Sequence, residues 1–401
     1  MILQGRLLLD PHQLPQEGWL QVDSGRITRI GEGNPSTVPE AGDDQSLICP
    51  GFIDAHIHLP QIDAIGCDSL QLLDWLEQVI YPAETRWADQ PFAEAMALRA
   101  HQRMIRSGTL GYAGYLTSHL HSTVAVLKAG HAIPVRAIVG QVLMDRRAPA
   151  ELLGHELARL ARSKRGRSAL SVNPRFAVCC SDELLSRAYR RVADDAFIQT
   201  HLAESKQECE IVAELFPDDP HYTGVYDRHG LLGERTLLAH CLHLCDDEWQ
   251  LIEQRKSVVV HCPTANTFLR SGLFELDAAR RHGVRLALGS DVAAGPDFAM
   301  PRVARAMIET AKARATTVQS DAFVPAPAEV WHMITRGNAD ALGWHDAGRL
   351  EVGAAADLLV LKAPFEVDEH LIGRLIHTWC DEYITHHVLD GELLENVKID
   401  D

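Results

Sequence analysis

The residues that can do chemistry in this chain are His56 and His58, His201, His240, Asp291, and Glu204 three positions beyond His201. The first pair closes an apolar run, PGFIDAHIH, at positions i and i+2. On a β-strand such residues leave the same face, so both imidazoles reach one cation. Three imidazoles and a carboxylate suit a borderline metal such as zinc, and an unligated Glu beside them moves protons. That combination points to metal-assisted hydrolysis.

These residues need elements to hold them. Strand-length apolar runs recur at Ser46–Ile57, Thr109–Leu116, Val135–Leu143, Ala169–Phe176, Ala196–Leu202, Thr236–Leu242, Ser257–Cys262 and Arg285–Asp291. Helix-like segments such as PFAEAMALRAHQRMIRSG and DDEWQLIEQRK separate them. Eight β-runs alternating with helices predict an α/β fold, a (β/α)8 TIM-type barrel whose parallel strands are buried on both faces. On that count His56 and His58 end the first strand, Arg175 the fourth, His201 the fifth, His240 the sixth, His261 the seventh and Asp291 the eighth. C-terminal strand ends face the mouth where such barrels do chemistry. Both chain ends have another texture, short strand-like runs between Gly, Pro and Asp turns (GRLLLD and GWLQVDSGRITRIG, then GRLEVGAAADLLVL and YITHHVLDGELL). They predict a small β-sandwich domain from residues 1–48 and 350–401 around a barrel over 49–349.

Composition narrows the partners. The chain has 401 residues, 46% hydrophobic and 23% charged, as in ordinary globular enzymes. A formal charge of −17 repels phosphate backbones, so a small, weakly polar molecule is the expected partner and nucleic acid is not. No run approaches the ~20 apolar residues of a membrane helix, and MILQGRLLLDPHQ is too short in apolar residues for a secretory signal. Nine cysteines, an odd number, predict reduced thiols and a cytoplasmic protein. Cys241, His243 and Cys245 mimic a second metal cluster, but this spacing on a strand running into a loop fixes no tetrahedron. They read as buried filling, Cys179 and Cys180 as structural, and His261 and Cys262 as lining the pocket or packing instead of binding metal.

The order PGFIDAHIH, THLAE, AHC, HCP, GSDV resembles the amidohydrolase superfamily of metal-dependent barrel hydrolases, from about Ile2 to Leu394. More narrowly, HIHLPQ, LLDWLEQVIYPAE, GQVLMDRRAP, NPRF, QTHLAES, HCPTANTFLRSGLF and GSDV are similar to its guanine deaminase subfamily. The resemblance implies His56, His58, His201 and Asp291 as ligands of one zinc, with iron the alternative. Asn173-Pro174-Arg175 lacks the lysine of two-metal relatives. It implies that Glu204 takes a proton from water and delivers it to the ring nitrogen and the leaving amine. His240 orients the nucleophile or binds substrate, and Asp291 doubles as a base. It further implies that Arg175 meets O6 of a purine, Gln61 lies near the amine-bearing edge and Phe176 packs on the ring. The implied reaction converts guanine to xanthine and ammonia, and the implied assembly is a homodimer. Ser290 and the stretch AAGPDFAM depart from the family pattern. They keep another amino-heterocycle (a pterin, 8-oxoguanine or a triazine) as the alternative substrate, with a non-catalytic scaffold a remote third.

Overall fold

The computed structural model describes residues 1–154, 166–190 and 196–394. Its larger unit is a sheet of parallel strands: β1 (Phe52–His58), β2 (Thr109–Tyr115), β3 (Arg136–Gly140), β4 (Ser168–Pro174), β5 (Phe197–Leu202), β6 (Thr236–His240), β7 (Val258–His261) and β8 (Arg285–Leu288), hydrogen-bonded in that order. Helices cover these strands outside, which is why runs such as Val258–Val260 are apolar at every position and fully buried. The sheet is nearly closed, with no strand ladder pairing β8 with β1 among the described residues. The Asn338 side chain spans the seam, donating to Ile53 O (2.6 Å) and Leu288 O (2.8 Å) and accepting from Leu288 N (2.9 Å). Further up, Asp291 N donates to His56 O (2.8 Å) and His58 N to Val292 O (3.0 Å). Closing the barrel therefore brings the eighth-strand carboxylate beside the first-strand histidines.

Three apolar runs end differently from the expectation. Ser46–Ile57 is two strands, Leu47–Pro50 in the small sheet and β1 in the barrel. The chain changes sheets at Gly51, where a Cβ would lie 2.5 Å from Leu110 Cδ1, so only glycine fits. Val135–Leu143 divides into β3 and a short strand, Val142–Leu143, paired with Asn173 and Pro174. The eighth strand stops at Leu288, and Asp291 sits in the turn beyond.

Both chain ends build one seven-stranded mixed sheet: Glu392–Leu394, Ile384–Leu389, Leu358–Leu361, Leu47–Pro50, Ile2–Leu7, Gln16–Asp23 and Arg26–Glu32, in spatial order. Its alternating apolar residues bury a core of their own, including Leu3, Leu20, Ile27, Ile48, Leu358 and Val388. Residues 395–401 of the predicted small domain lie outside the described residues. Among the described residues no helix is long and apolar enough to cross a membrane.

Candidate active site

Four side chains meet at the barrel mouth. His56 Nε2 lies 3.2 Å and His58 Nε2 3.3 Å from Asp291 Oδ1, and His58 Nε2 lies 3.1 Å from His201 Nε2. One ligand atom from each of His56, His58, His201 and Asp291 falls within 4.8 Å of all the others. Donors about 2.0–2.1 Å from a shared cation stand about 2.9–3.4 Å apart at angles from 90° to tetrahedral. The spacings match.

Proton placement gives a second test of fit. Arg175 O accepts from His201 Nδ1 at 2.6 Å, so the proton sits on Nδ1 and the Nε2 lone pair faces His58. His56 Nε2 is buried with no hydrogen-bond partner. Burial pushes His58 down to about 4 and His201 well below its ordinary value, so both imidazoles are neutral at pH 7, as ligands must be. Burial alone would raise Asp291, but the adjoining His56 and His58 imidazoles hold it well below the carboxylate range. Neutral imidazole nitrogens gathered beside an ionised carboxylate are the donor set that a cation such as zinc takes.

Around this cluster stand further titratable groups. His240 Nε2 lies 3.4 Å from Glu204 Oε2 and 3.8 Å from Asp291 Oδ2, and its Nδ1 is 2.8 Å from Asn266 Oδ1. That oxygen accepts, so Nδ1 carries the proton and Nε2 faces the site with its lone pair. Ser271 Oγ donates to Glu204 Oε1 at 3.3 Å. Burial first, then the Asp291 charge, pushes Glu204 well above the usual carboxylate range. A fully buried carboxylate below the cluster, Asp54, accepts from His56 N (3.1 Å) and Ser290 N (2.9 Å) and from the Ser290 hydroxyl. Asp54 thus holds the turn that presents Asp291.

Strand-end geometry aims these groups. Ala203 (φ 50°), His240 (φ 72°), Cys241 (φ 54°) and Asp291 (φ 51°) all sit in the left-handed region that side chains avoid at about 1–2 kcal/mol each. Behind Glu204, Ser205 Oγ accepts from Glu208 N (3.1 Å) while Glu208 Oε2 accepts from Glu204 N (2.9 Å) and Ser205 N (3.2 Å). This capping box starts helix Lys206–Leu215 and pins the Glu204 backbone.

A narrow pocket opens onto the cluster, with about 380 Å³ between its walls, open mouth included. His58, Gln61, Arg175, Phe176, His201, Glu204, His240 and Asp291 all line it. Sequence reasoning did not assign its apolar wall, Leu72, Trp75, Leu76 and Leu269, although the stretches LLDWLEQVIYPAE and HCPTANTFLRSGLF contain them. It also missed Asn266, Ser271, Asp54 and Glu84. Glu84 changes the expectation for Arg175, whose Nη1 donates to Glu84 Oε1 (3.0 Å) and Oε2 (2.7 Å) instead of standing free. Cys179, Cys180, Cys241 and Cys262 are buried, and His261 stacks on Phe274 at 4.5 Å. Cys245, expected as buried filling, is instead exposed because it lies at the start of a surface helix; all nine cysteines are free. Cys262 lies near His240 and Asp291, but burial pushes its thiol well up, leaving it protonated and a poor ligand.

Residues 47–394 match the amidohydrolase family. The chain is 33% identical over 364 residues to the guanine deaminase of Escherichia coli (strain K12), covering 86% of this chain and 81% of that one. The solved structure of E. coli guanine deaminase superposes with a TM-score of 0.87 at 29% identity, over 98% of this chain and 99% of that one. An adenosine deaminase from Xanthomonas campestris, solved with bound zinc, superposes with a TM-score of 0.83 at 25% identity, over 98% and 92% of the two chains.

Proposed function

This chain belongs to the amidohydrolase family, and on that premise we propose that it hydrolyses guanine to xanthine and ammonia. The observation carrying the reading is the juxtaposition of the three-histidine, one-aspartate cluster with Glu204 in a pocket that Gln61, Arg175 and Phe176 also line. The Escherichia coli guanine deaminase, 33% identical by sequence and closely superposing in structure, supports the substrate. We read His56, His58, His201 and Asp291 as the ligands of one zinc, supported by their donor set and by the zinc-bound neighbour. Zinc held there supplies Lewis acidity and a water nucleophile of lowered pKa.

The remaining work falls to the side chains. Glu204, whose buried carboxyl binds a proton more tightly than usual, moves one proton from the attacking water to the ring nitrogen and then a second, from the hydroxyl so formed, to the amine that departs as ammonia. His240, its tautomer set by Asn266, turns an accepting Nε2 towards the nucleophile. Phe176 packs on the purine plane, Arg175 donates to O6, and Gln61 addresses the adjoining edge. We read the compartment as cytoplasm, supported by nine free cysteines, and the assembly as a homodimer on resemblance alone. A single-chain mass by light scattering would remove the dimer.

Ultraviolet absorbance of guanine with zinc-loaded protein, followed alongside ammonia release, tests the reaction. Conversion to xanthine at enzymatic rates is expected. No conversion with metal bound overturns the substrate and moves the search to pterins, 8-oxoguanine and triazines.

A further inference from the structure

Glu84 lies outside the catalytic cluster, yet it is a carboxylate with 0% exposure whose partners are the two polar groups of the substrate wall. Gln61 Nε2 donates to Glu84 Oε1 at 2.8 Å, and Arg175 Nη1 donates to the same oxygen at 3.0 Å and to Oε2 at 2.7 Å. The two groups therefore meet at one oxygen atom. Tyr81, one helical turn before Glu84, sets its ring 5.4 Å from the Arg175 guanidinium. An ionised carboxylate only accepts, so the Gln61 amide must turn its nitrogen to Glu84 and its oxygen away. Ala293 N, 3.5 Å from Gln61 Oε1, agrees with that orientation. The guanidinium only donates and keeps its charge.

We propose that Glu84 is a positioning residue that sets the hydrogen-bond polarity of the substrate pocket. It locks Gln61 as an acceptor beside Arg175 as a donor, so the pocket selects a lactam edge, C=O next to N–H, over an amidine edge. Guanine offers O6 to the donor and its ring N1–H to the acceptor. In 2,6-diaminopurine the amine under attack is the same, but both edge groups are reversed. Neither protein group can adapt, because flipping Gln61 would set its oxygen against the Glu84 carboxylate.

The inference rests on the guanine reading, so the experiment separates the two. Wild-type protein is assayed first, and absence of guanine turnover overturns that reading alone. Binding then tests the polarity without turnover: hypoxanthine, a lactam, stabilises the zinc-loaded protein against heat, and adenine, its amidine counterpart, does not. Equal stabilisation by both overturns the proposal. Among variants, Glu84→Gln removes the lock, because its amide both donates and accepts. The expected change is a fall of about 100-fold in guanine kcat/KM, mainly through KM, with the preference for guanine over 2,6-diaminopurine shrinking at least about tenfold. Metal content stays unchanged. An equal fall for both substrates means a merely structural role and overturns the proposal. Glu84→Asp keeps the charge that Arg175 needs for folding and withdraws the carboxylate by one methylene. It should raise the guanine KM and weaken the preference in the same direction, and unchanged KM and preference in this variant also overturn the proposal.

Discussion

At the scale of single residues, one partner atom on each of two histidines decides what the site can do. Arg175 O and Asn266 Oδ1 each accept from an Nδ1, so His201 and His240 both present Nε2 lone pairs inward. Those lone pairs, the unpartnered His56 Nε2 and the ionised Asp291 face Glu204, whose carboxyl is held by burial well above the usual range. Glu204 is the group proposed here for proton transfer. Glu204→Gln keeps the shape and leaves all four proposed ligands in place, so metal content by atomic emission should match wild type. Turnover should drop by about 10²–10⁴-fold, the usual worth of a positioned acid or base. A variant retaining more than a tenth of wild-type kcat would remove Glu204 from that role.

At the scale of elements, packed pairs determine how firmly the strand ends are held. Helix Gln90–Arg106 lies against β2, and His101 on it bonds Tyr112 Oη at 2.8 Å in a fully buried setting. Burial pushes His101 down to about 4. A histidine with a depressed folded value contributes fully above its unfolded value near 6.5, and that contribution is lost as the pH falls towards 4. The loss is on the order of 1 kcal/mol per pH unit across the window. Urea unfolding midpoints should therefore fall between pH 6.5 and 4, and His101→Gln should flatten that slope while lowering stability at pH 7. Equal slopes in wild type and variant would show that His101 does not titrate in this way.

At the scale of the whole molecule, closure of the barrel and occupancy of the site are linked. The β1–β8 seam is held by Asn338 low down and by the His56, His58, Asp291 and Val292 backbone bonds near the mouth. The proposed ligands from β1, β5 and the turn after β8 therefore join the seam to the opposite wall. A cation that binds only the folded barrel stabilises it by mass action, by about 3–4 kcal/mol at 100–1,000 times its Kd. Removing metal with a chelator should abolish turnover and lower the melting temperature by several degrees, and added zinc should restore both. A melting curve indifferent to chelation, with metal shown to be removed, would contradict this coupling.

The barrel and the cluster were legible in the sequence because both depend on local regularities. Period and burial mark the strands, and His56 and His58 share a face by strand geometry alone. The strands' C-terminal ends then gather His201, His240 and Asp291 at one mouth, since parallel strands of a closed barrel all point the same way. The amidohydrolase resemblance named the same residues. What stayed hidden depends on contacts between segments far apart in the chain. The run Ser46–Ile57 gives no sign that Gly51 passes from one sheet to the other, because both strands are equally apolar. Glu84 closes the stretch LLDWLEQVIYPAE with nothing in the sequence to mark its partner, and only the fold brings it within 3.0 Å of Arg175, 91 positions away. The tautomers of His201 and His240 likewise follow from Arg175 O and Asn266, partners 26 residues distant in each case. Residue type and period therefore determined which groups this protein uses. Their protonation and their donor or acceptor sense were decided only by tertiary structure, because a hydrogen-bond partner is set by distance in space and not along the chain.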